Sequence, residues 1–142
     1  MRFWDTSPLV PLFVAERATP RVERWLRSDP VVVVCTLTRL ELLSALARGR
    51  RDEPKAARQL RAARDEVLEA SAGWSEVTAV EVVRRHAERA IDVHPLRSAD
   101  ALQLGAAIGA ADGHPETLEF VTLDERLADA VRREGFRILG VE

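Results

Sequence analysis

Four acidic residues raise the question of chemistry in this chain. Asp5 follows a first apolar stretch, Glu41 a second and Asp124 a late one, while Asp100 heads the small-residue apolar segment Leu96 to Ala111, LRSADALQLGAAIGAA. Carboxylates gathered in one place repel one another unless protons or cations intervene. An oxygen-only ligand set suits Mg2+ or Mn2+ rather than zinc or copper. A divalent ion held by carboxylates orients and activates water and stabilises charge on a phosphoryl group during in-line displacement, so this set points to phosphodiester hydrolysis.

Each acid also has a purely local use. Asp5 suits the turn of Asp5-Thr6-Ser7-Pro8, Glu41 completes a capping box with Thr38, and Asp124 suits the start of a last helix, where Thr122 and Glu125 offer a competing box. Asp100 falls in the first turn behind Ser98, a suitable N-cap, where the helix dipole favours a negative charge. Taken together the local uses weaken, because burying Asp100 beside Ala99, Ala101 and Leu102 is costly without a partner or a metal.

The elements that must position these acids follow from the chain. Met1 to Trp4 is a short apolar lead, and Leu9 to Val14 suits a short buried helix despite Pro11. Thr19 to Ser28 reads as a second helix. Val31 to Cys35 is a β-branched run of the kind buried on both faces of a parallel sheet. The Thr38 box predicts a helix from about Thr38 to Ala47, ended by Gly49. A long amphipathic stretch follows Pro54, with Leu60, Ala63, Val67 and Ala70 on one face and Arg51, Lys55, Arg58 and Arg61 on another. Trp74 to Val77 reads as a short edge strand, and a second box, Thr78 to Glu81, predicts a helix to about Ala90. After the Leu96 to Ala111 helix come a loop at Asp112 to Pro115, a strand at Phe120 to Thr122, a helix at Glu125 to Glu134 and a last strand at Phe136 to Val141. Strand and helix alternate with no hairpin dipeptide between strands, which argues for a parallel α/β sheet covered by helices. In such sheets ligands bind beyond the carboxyl ends of the strands, where Asp5, Glu41 and Asp124 stand.

Composition narrows the alternatives. The 142 residues fit one domain, 1–142, with 46% apolar and 31% charged residues as in an ordinary globular protein. A net charge of −2 provides no global basic field, so nucleic acid must be met by local patches. Arg48, Arg50, Arg51, Lys55, Arg58 and Arg61 are the candidates for phosphate contacts, a solvated helix face being the alternative. The single cysteine, Cys35, excludes an internal disulfide and a thiolate cluster. His86, His94 and His114 lack close ligand spacing for zinc. Trp4, Trp25 and Trp74 sit in or beside apolar segments and read as core. No leader pattern and no apolar run near the ~20 residues of a membrane span is present, so a cytoplasmic protein with no membrane association is expected.

The stretches FWDTSPLV, TLTRLELLSALAR, LRSADALQLGAA and FVTLDERLADAVRREGFRIL, in this order and spacing, resemble the PIN-domain ribonucleases of the VapC toxin family of type II toxin-antitoxin systems. The resemblance implies a PIN-like three-layer α/β sandwich with a central, mostly parallel sheet. It also implies a metal-dependent endoribonuclease in which Asp5, Glu41, Asp100 and Asp124 surround one or two Mg2+ or Mn2+ ions, with Asp5 and Asp100 as direct ligands. Metal-activated water would attack an RNA phosphodiester, leaving a 5'-phosphate and a 3'-hydroxyl. A homodimer and a cognate VapB-like antitoxin, bound or paired through the apolar faces of the first helices, complete the expectation.

The chain departs from that pattern in two places. Pro11 stands near where relatives carry a lysine, and Gln103 stands three residues after Asp100 where relatives place a histidine. Thr6, Ser7 and Thr122 could position metal waters or the phosphate, but such hydroxyls commonly serve turns and caps. The alternative function is a non-catalytic PIN-like module that binds RNA or a protein. A receiver domain would need a late strand-end lysine, yet the only lysine is Lys55, and an aspartyl phosphatase would need an Asp where Ser7 stands.

Overall fold

The computed structural model describes residues 1–141. Among them the elements run β1 (Arg2–Trp4), α1 (Val10–Phe13), α2 (Thr19–Ser28), β2 (Val32–Cys35), α3 (Thr36–Asp52), α4 (Ala57–Ser71), β3 (Ser75–Val77), α5 (Val80–Val93), α6 (Ser98–Ala110), β4 (Glu119–Thr122), α7 (Glu125–Arg133) and β5 (Arg137–Gly140). The strands form one sheet in the order β3-β2-β1-β4-β5, and every pair is parallel.

Side-chain alternation along the strands divides the interior in two. Phe3, Val33, Cys35 and Phe120 face one core with Leu104, Leu127 and Val131 from α6 and α7. Trp4, Val32, Val34 and Val121 face the other with Val22, Leu42, Leu46 and Val67 from α2, α3 and α4. The result is the expected three-layer sandwich. Val32–Cys35 is buried along its whole length, which explains its continuous apolar sequence, whereas the edge strand β3 is largely exposed. Trp4 is wholly buried, while Trp25 and Trp74 are half-buried at the margin of the second core.

Three helix starts differ from the sequence expectation, because the expected capping side chain either found another partner or made no cap bond. Helix α3 begins at Thr36 with Cys35 as N-cap, the Sγ accepting from the Leu37 amide, so Thr38 lies inside the helix and is fully buried. Its hydroxyl bonds Gln103 instead of closing a box with Glu41. Helix α6 starts at Ser98 with Arg97 as N-cap and no side-chain cap bond. Helix α5 begins at Val80 with no side-chain cap, so the Thr78 box does not form either.

Gly49 does not end α3, which continues to Asp52; a Cβ there would lie 3.0 Å from Leu60 Cδ1, so the glycine serves the approach of α4. Gly105 does the same more strictly for α5 and α6. A Cβ on Gly105 would fall 2.5 Å from the Val83 carbonyl oxygen and 2.9 Å from the Ala87 nitrogen. The small-residue run of α6 therefore buys backbone-to-backbone packing against α5.

Candidate functional site

In the order β3-β2-β1-β4-β5 the chain builds outward from β1 in one direction, then crosses to the other side of β1 with β4. The switch point lies between β1 and β4, and the crevice beyond their carboxyl ends is where such sheets bind ligands. Asp5 immediately follows β1, and its amide extends the ladder by donating to the Val121 carbonyl at 3.2 Å. Asp124 closes the turn after β4 as N-cap of α7, Asp100 lies in the first turn of α6, and Glu41 projects from α3. Four acids distant in sequence thus belong to elements that meet the same sheet edge.

Asp5 is buried and held by two hydroxyls. Ser7 Oγ donates to its carboxylate at 2.9 and 3.1 Å, and Thr122 Oγ1 donates at 3.1 Å. Each hydroxyl is itself aimed by a backbone amide of the β4–α7 turn: Leu123 N–H donates to Ser7 Oγ at 2.9 Å and Asp124 N–H to Thr122 Oγ1 at 3.0 Å. Burial, which the two hydroxyl bonds only partly offset and the charge of Asp124 reinforces, pushes the Asp5 carboxyl up to about 7.

Glu41 is tied elsewhere. Thr6 Oγ1 donates to its Oε1 at 2.8 Å and Gln103 Nε2 at 2.7 Å. Gln103 is buried, and its amide also lies 3.1 Å from Thr38 Oγ1 and 3.2 Å from Thr6 Oγ1. The residue that departs from the family pattern thus fastens an acid of the site. Burial and the charges of Asp124 and Glu41 raise the Asp100 carboxyl, while Arg97 and Arg126 pull it down. Asp124 spends Oδ1 on the Arg126 and Leu127 amides at 2.8 and 3.1 Å. Its local use as a helix cap is therefore real, and it coexists with electrostatic coupling to both Asp5 and Asp100.

The acids share a field without sharing one ligand position. Among the described residues no group of three or more His, Cys, Asp or Glu side chains is close enough to hold an ion. Ser7, Thr122 and Gln103 are the residues whose part the sequence understated. The spacing of Gln103, three after Asp100, places it on neighbouring positions of one helix face, which was the readable signal.

The chain matches the PIN domain family model over residues 2–133. It belongs to the PIN domain family. Among solved structures, this PIN domain is similar to FitAB bound to an IR36 DNA fragment, with a TM-score of 0.67 and 14% identity over 99% of this chain and 94% of that one. It is also similar to FitAcB from Neisseria gonorrhoeae, with a TM-score of 0.61 and 16% identity over 99% and 97% of the two chains. At these identities the likeness concerns the fold. No curated protein matches.

The basic stripe is divided in the PIN fold. Arg48 lies on the α3 face that carries Glu41, lining with Leu37, Leu40 and Ser44 a groove of about 310 Å3. Arg51, Lys55, Arg58 and Arg61 are exposed on the α3–α4 connection and on α4, and Arg50 is half-buried. No helix among the described residues is long and apolar enough to cross a membrane.

Proposed function

We propose that this chain is a metal-dependent endoribonuclease of the VapC type, one PIN domain over residues 1–142, acting as the toxin of a pair with a VapB-like antitoxin. The observation that carries the reading is Asp5. It is a buried carboxylate at the switch point of a PIN sheet, aimed by two hydroxyls and in electrostatic range of Asp124. Burial outweighs its two hydroxyl bonds and raises its carboxyl to about 7, so a bound cation would favour the ionised form. The all-oxygen donor set fits Mg2+ or Mn2+, with Asp5 and Asp100 as direct ligands and Glu41 and Asp124 completing the pocket directly or through water. When bound, a divalent ion there supplies an activated water and neutralises charge on the phosphoryl group.

The chain's own residues do the positioning. Ser7 and Thr122 fix the rotamer of Asp5, and Thr6 and Gln103 hold Glu41. Arg48, on the face of Glu41, is the phosphate contact nearest the site in helix register. A homodimer in the cytoplasm belongs to the same proposal.

The test is cleavage of a mixed structured and single-stranded RNA pool by antitoxin-free protein in Mg2+ or Mn2+, beside the Asp100→Asn variant and a chelator control. Cutting that needs the metal and vanishes in the variant bears the reading out, and equal cutting by both proteins overturns it. The second reading, a non-catalytic PIN-like module binding RNA or protein, is favoured by the absence of a convergent ligand group among the described residues. No cutting by either protein, with folding and metal binding verified, would favour that module instead.

A further inference from the structure

Burial and then the charge of Asp124 raise the Asp100 carboxyl, so these two acids repel each other when both are ionised. The segments that carry them are not packed together on the outside. A cavity of about 310 Å3 separates His94 and Pro95, in the connector from α5 to α6, from Glu125, Arg126, Asp129 and Ala130 of α7. Deeper in the molecule Leu104 of α6 shares a core with Leu127 and Val131 of α7. Apolar burial of that kind is non-directional, so it does not by itself fix the angle between the two helices.

A directional tie lies between His94 and α7. The His94 side chain is 3% exposed, and its Nε2 lies 2.6 Å from Oε1 of Glu134, the C-cap of α7. Arg89 of α5 donates to both oxygens of the same carboxylate at 2.9 and 3.0 Å. Burial opposes the charge of Glu134, but the bonds from His94 and Arg89 outweigh it and hold the carboxyl below its usual value. An ionised carboxylate only accepts, so Nε2 donates to it whichever charge the ring carries. The other ring nitrogen is enclosed without a hydrogen-bond partner among the described residues, which leaves Glu134 as the polar anchor of the ring. A buried ring with one nitrogen unpaired is held in place by the bond that the other makes.

This cluster stands at the root of both acid-bearing segments. Asp100 follows His94 by six positions, through Pro95 and the first turn of α6. Asp124 caps the other end of α7, about 15 Å from Glu134 along the helix axis. A helix of nine residues transmits a change of angle at one end to the other, so the tie at Glu134 bears on where Asp124 stands relative to Asp100.

We propose that His94, Glu134 and Arg89 form a clamp that holds the α5–α6 connector against α7 and keeps Asp100 and Asp124 together despite their repulsion, so that a divalent ion meets acids already in place. His94 and Glu134 are then positioning residues, and the part of the acids as a metal site rests on the reading above. The experiment is a titration of the full chain with Mn2+, the free ion followed by electron paramagnetic resonance well below the melting temperature, beside RNA cleavage at saturating Mn2+. His94→Leu should raise the Mn2+ dissociation constant about fivefold, less than the loss of a direct hydrogen-bond partner of a metal ligand. Cleavage at saturating Mn2+ should change less than the affinity does. His94→Gln, whose amide nitrogen can take the place of Nε2 as donor, should restore the affinity. Glu134→Gln keeps the shape of the side chain and removes its charge, and should weaken Mn2+ binding in the same direction. Val67→Ala, in the opposite core, reports the effect of lost stability alone and should leave the affinity unchanged. Unaltered Mn2+ affinity in folded His94→Leu and Glu134→Gln, or an equal loss in Val67→Ala, would overturn the clamp. Mn2+ binding that depends on the clamp in a chain that cuts no RNA would uphold it while removing the nuclease reading. RNA cleavage with Mn2+ binding indifferent to the clamp would do the reverse.

Discussion

Gln103 donates its side-chain amide to Glu41 Oε1 at 2.7 Å and so fastens α6 to α3 across 62 positions of sequence. Replacing it with leucine leaves Thr38 and Glu41 without this donor in a buried setting. Gln103→Leu should cost about 1–3 kcal/mol in urea unfolding, and RNA cleavage should fall through kcat more than KM because Glu41 loses its orientation. Gln103→Glu should be worse on both counts, since it sets a second carboxylate against the first. An unaltered kcat in Gln103→Leu would remove Gln103 from the positioning of the site.

Asp5 sets a pH dependence of stability in metal-free protein. Its folded pKa of about 7 stands above the ordinary 3.8, so the folded state holds this proton more tightly than the unfolded chain does. The associated stability is complete below pH 3.8 and is lost as pH rises through 7. A shift of this size corresponds to roughly 4 kcal/mol. Thermal melts in chelator should therefore fall from pH 5 to pH 8, and Asp5→Asn should flatten that fall while abolishing cleavage. Mg2+ added at pH 8 should raise the melting temperature of the wild-type chain and not of the variant.

Gly140 ends β5 opposite Thr122, with φ of 139°, and a Cβ on it would lie 1.8 Å from the Thr122 carbonyl oxygen. Gly140→Ala must displace Thr122, whose hydroxyl holds Asp5. A loss of at least about 1–3 kcal/mol is expected from the crowding. Cleavage measured well below the melting temperature should fall further than the remaining folded fraction accounts for.

Gly105 is a purely architectural counterpart. Its missing Cβ admits the Val83 carbonyl, so Gly105→Ala should separate α5 from α6 and destabilise the protein by about 1–3 kcal/mol. Urea titration should show the loss as a lower midpoint with an unchanged slope.

Arg48 alone of the basic stripe shares a groove with Glu41. Arg48→Glu should weaken RNA binding and flatten its salt dependence by about 0.7 per lost phosphate contact. Arg58→Glu combined with Arg61→Glu, on the exposed face of α4, should alter the slope less. A larger change from the α4 pair would place the RNA path on α4.

Much of the architecture was written in local pattern. The β-branched run at Val32–Cys35, the apolar spacing of α3 and α4 and the small residues of α6 each imposed a period or a packing distance that neighbours in sequence suffice to express. Three of the four acids were visible for the same reason, since Asp5, Asp100 and Asp124 stand at strand or helix boundaries, whereas Glu41 lies inside α3. The capping use of Asp124 was equally visible, and it is the one the structure forms.

What the sequence by itself determined is therefore the alternation of elements and the edge of the sheet at which acids would gather. Tertiary structure alone decided which side chain holds which acid. Thr38 left its own capping box for Gln103, Glu41 was claimed by Thr6 and Gln103, and Asp5 by Ser7 and a threonine 117 positions away. The physical reason is that a buried polar group takes the best partner available in space, and availability is set by strand order and helix approach. Neither is encoded within the few residues around the group itself.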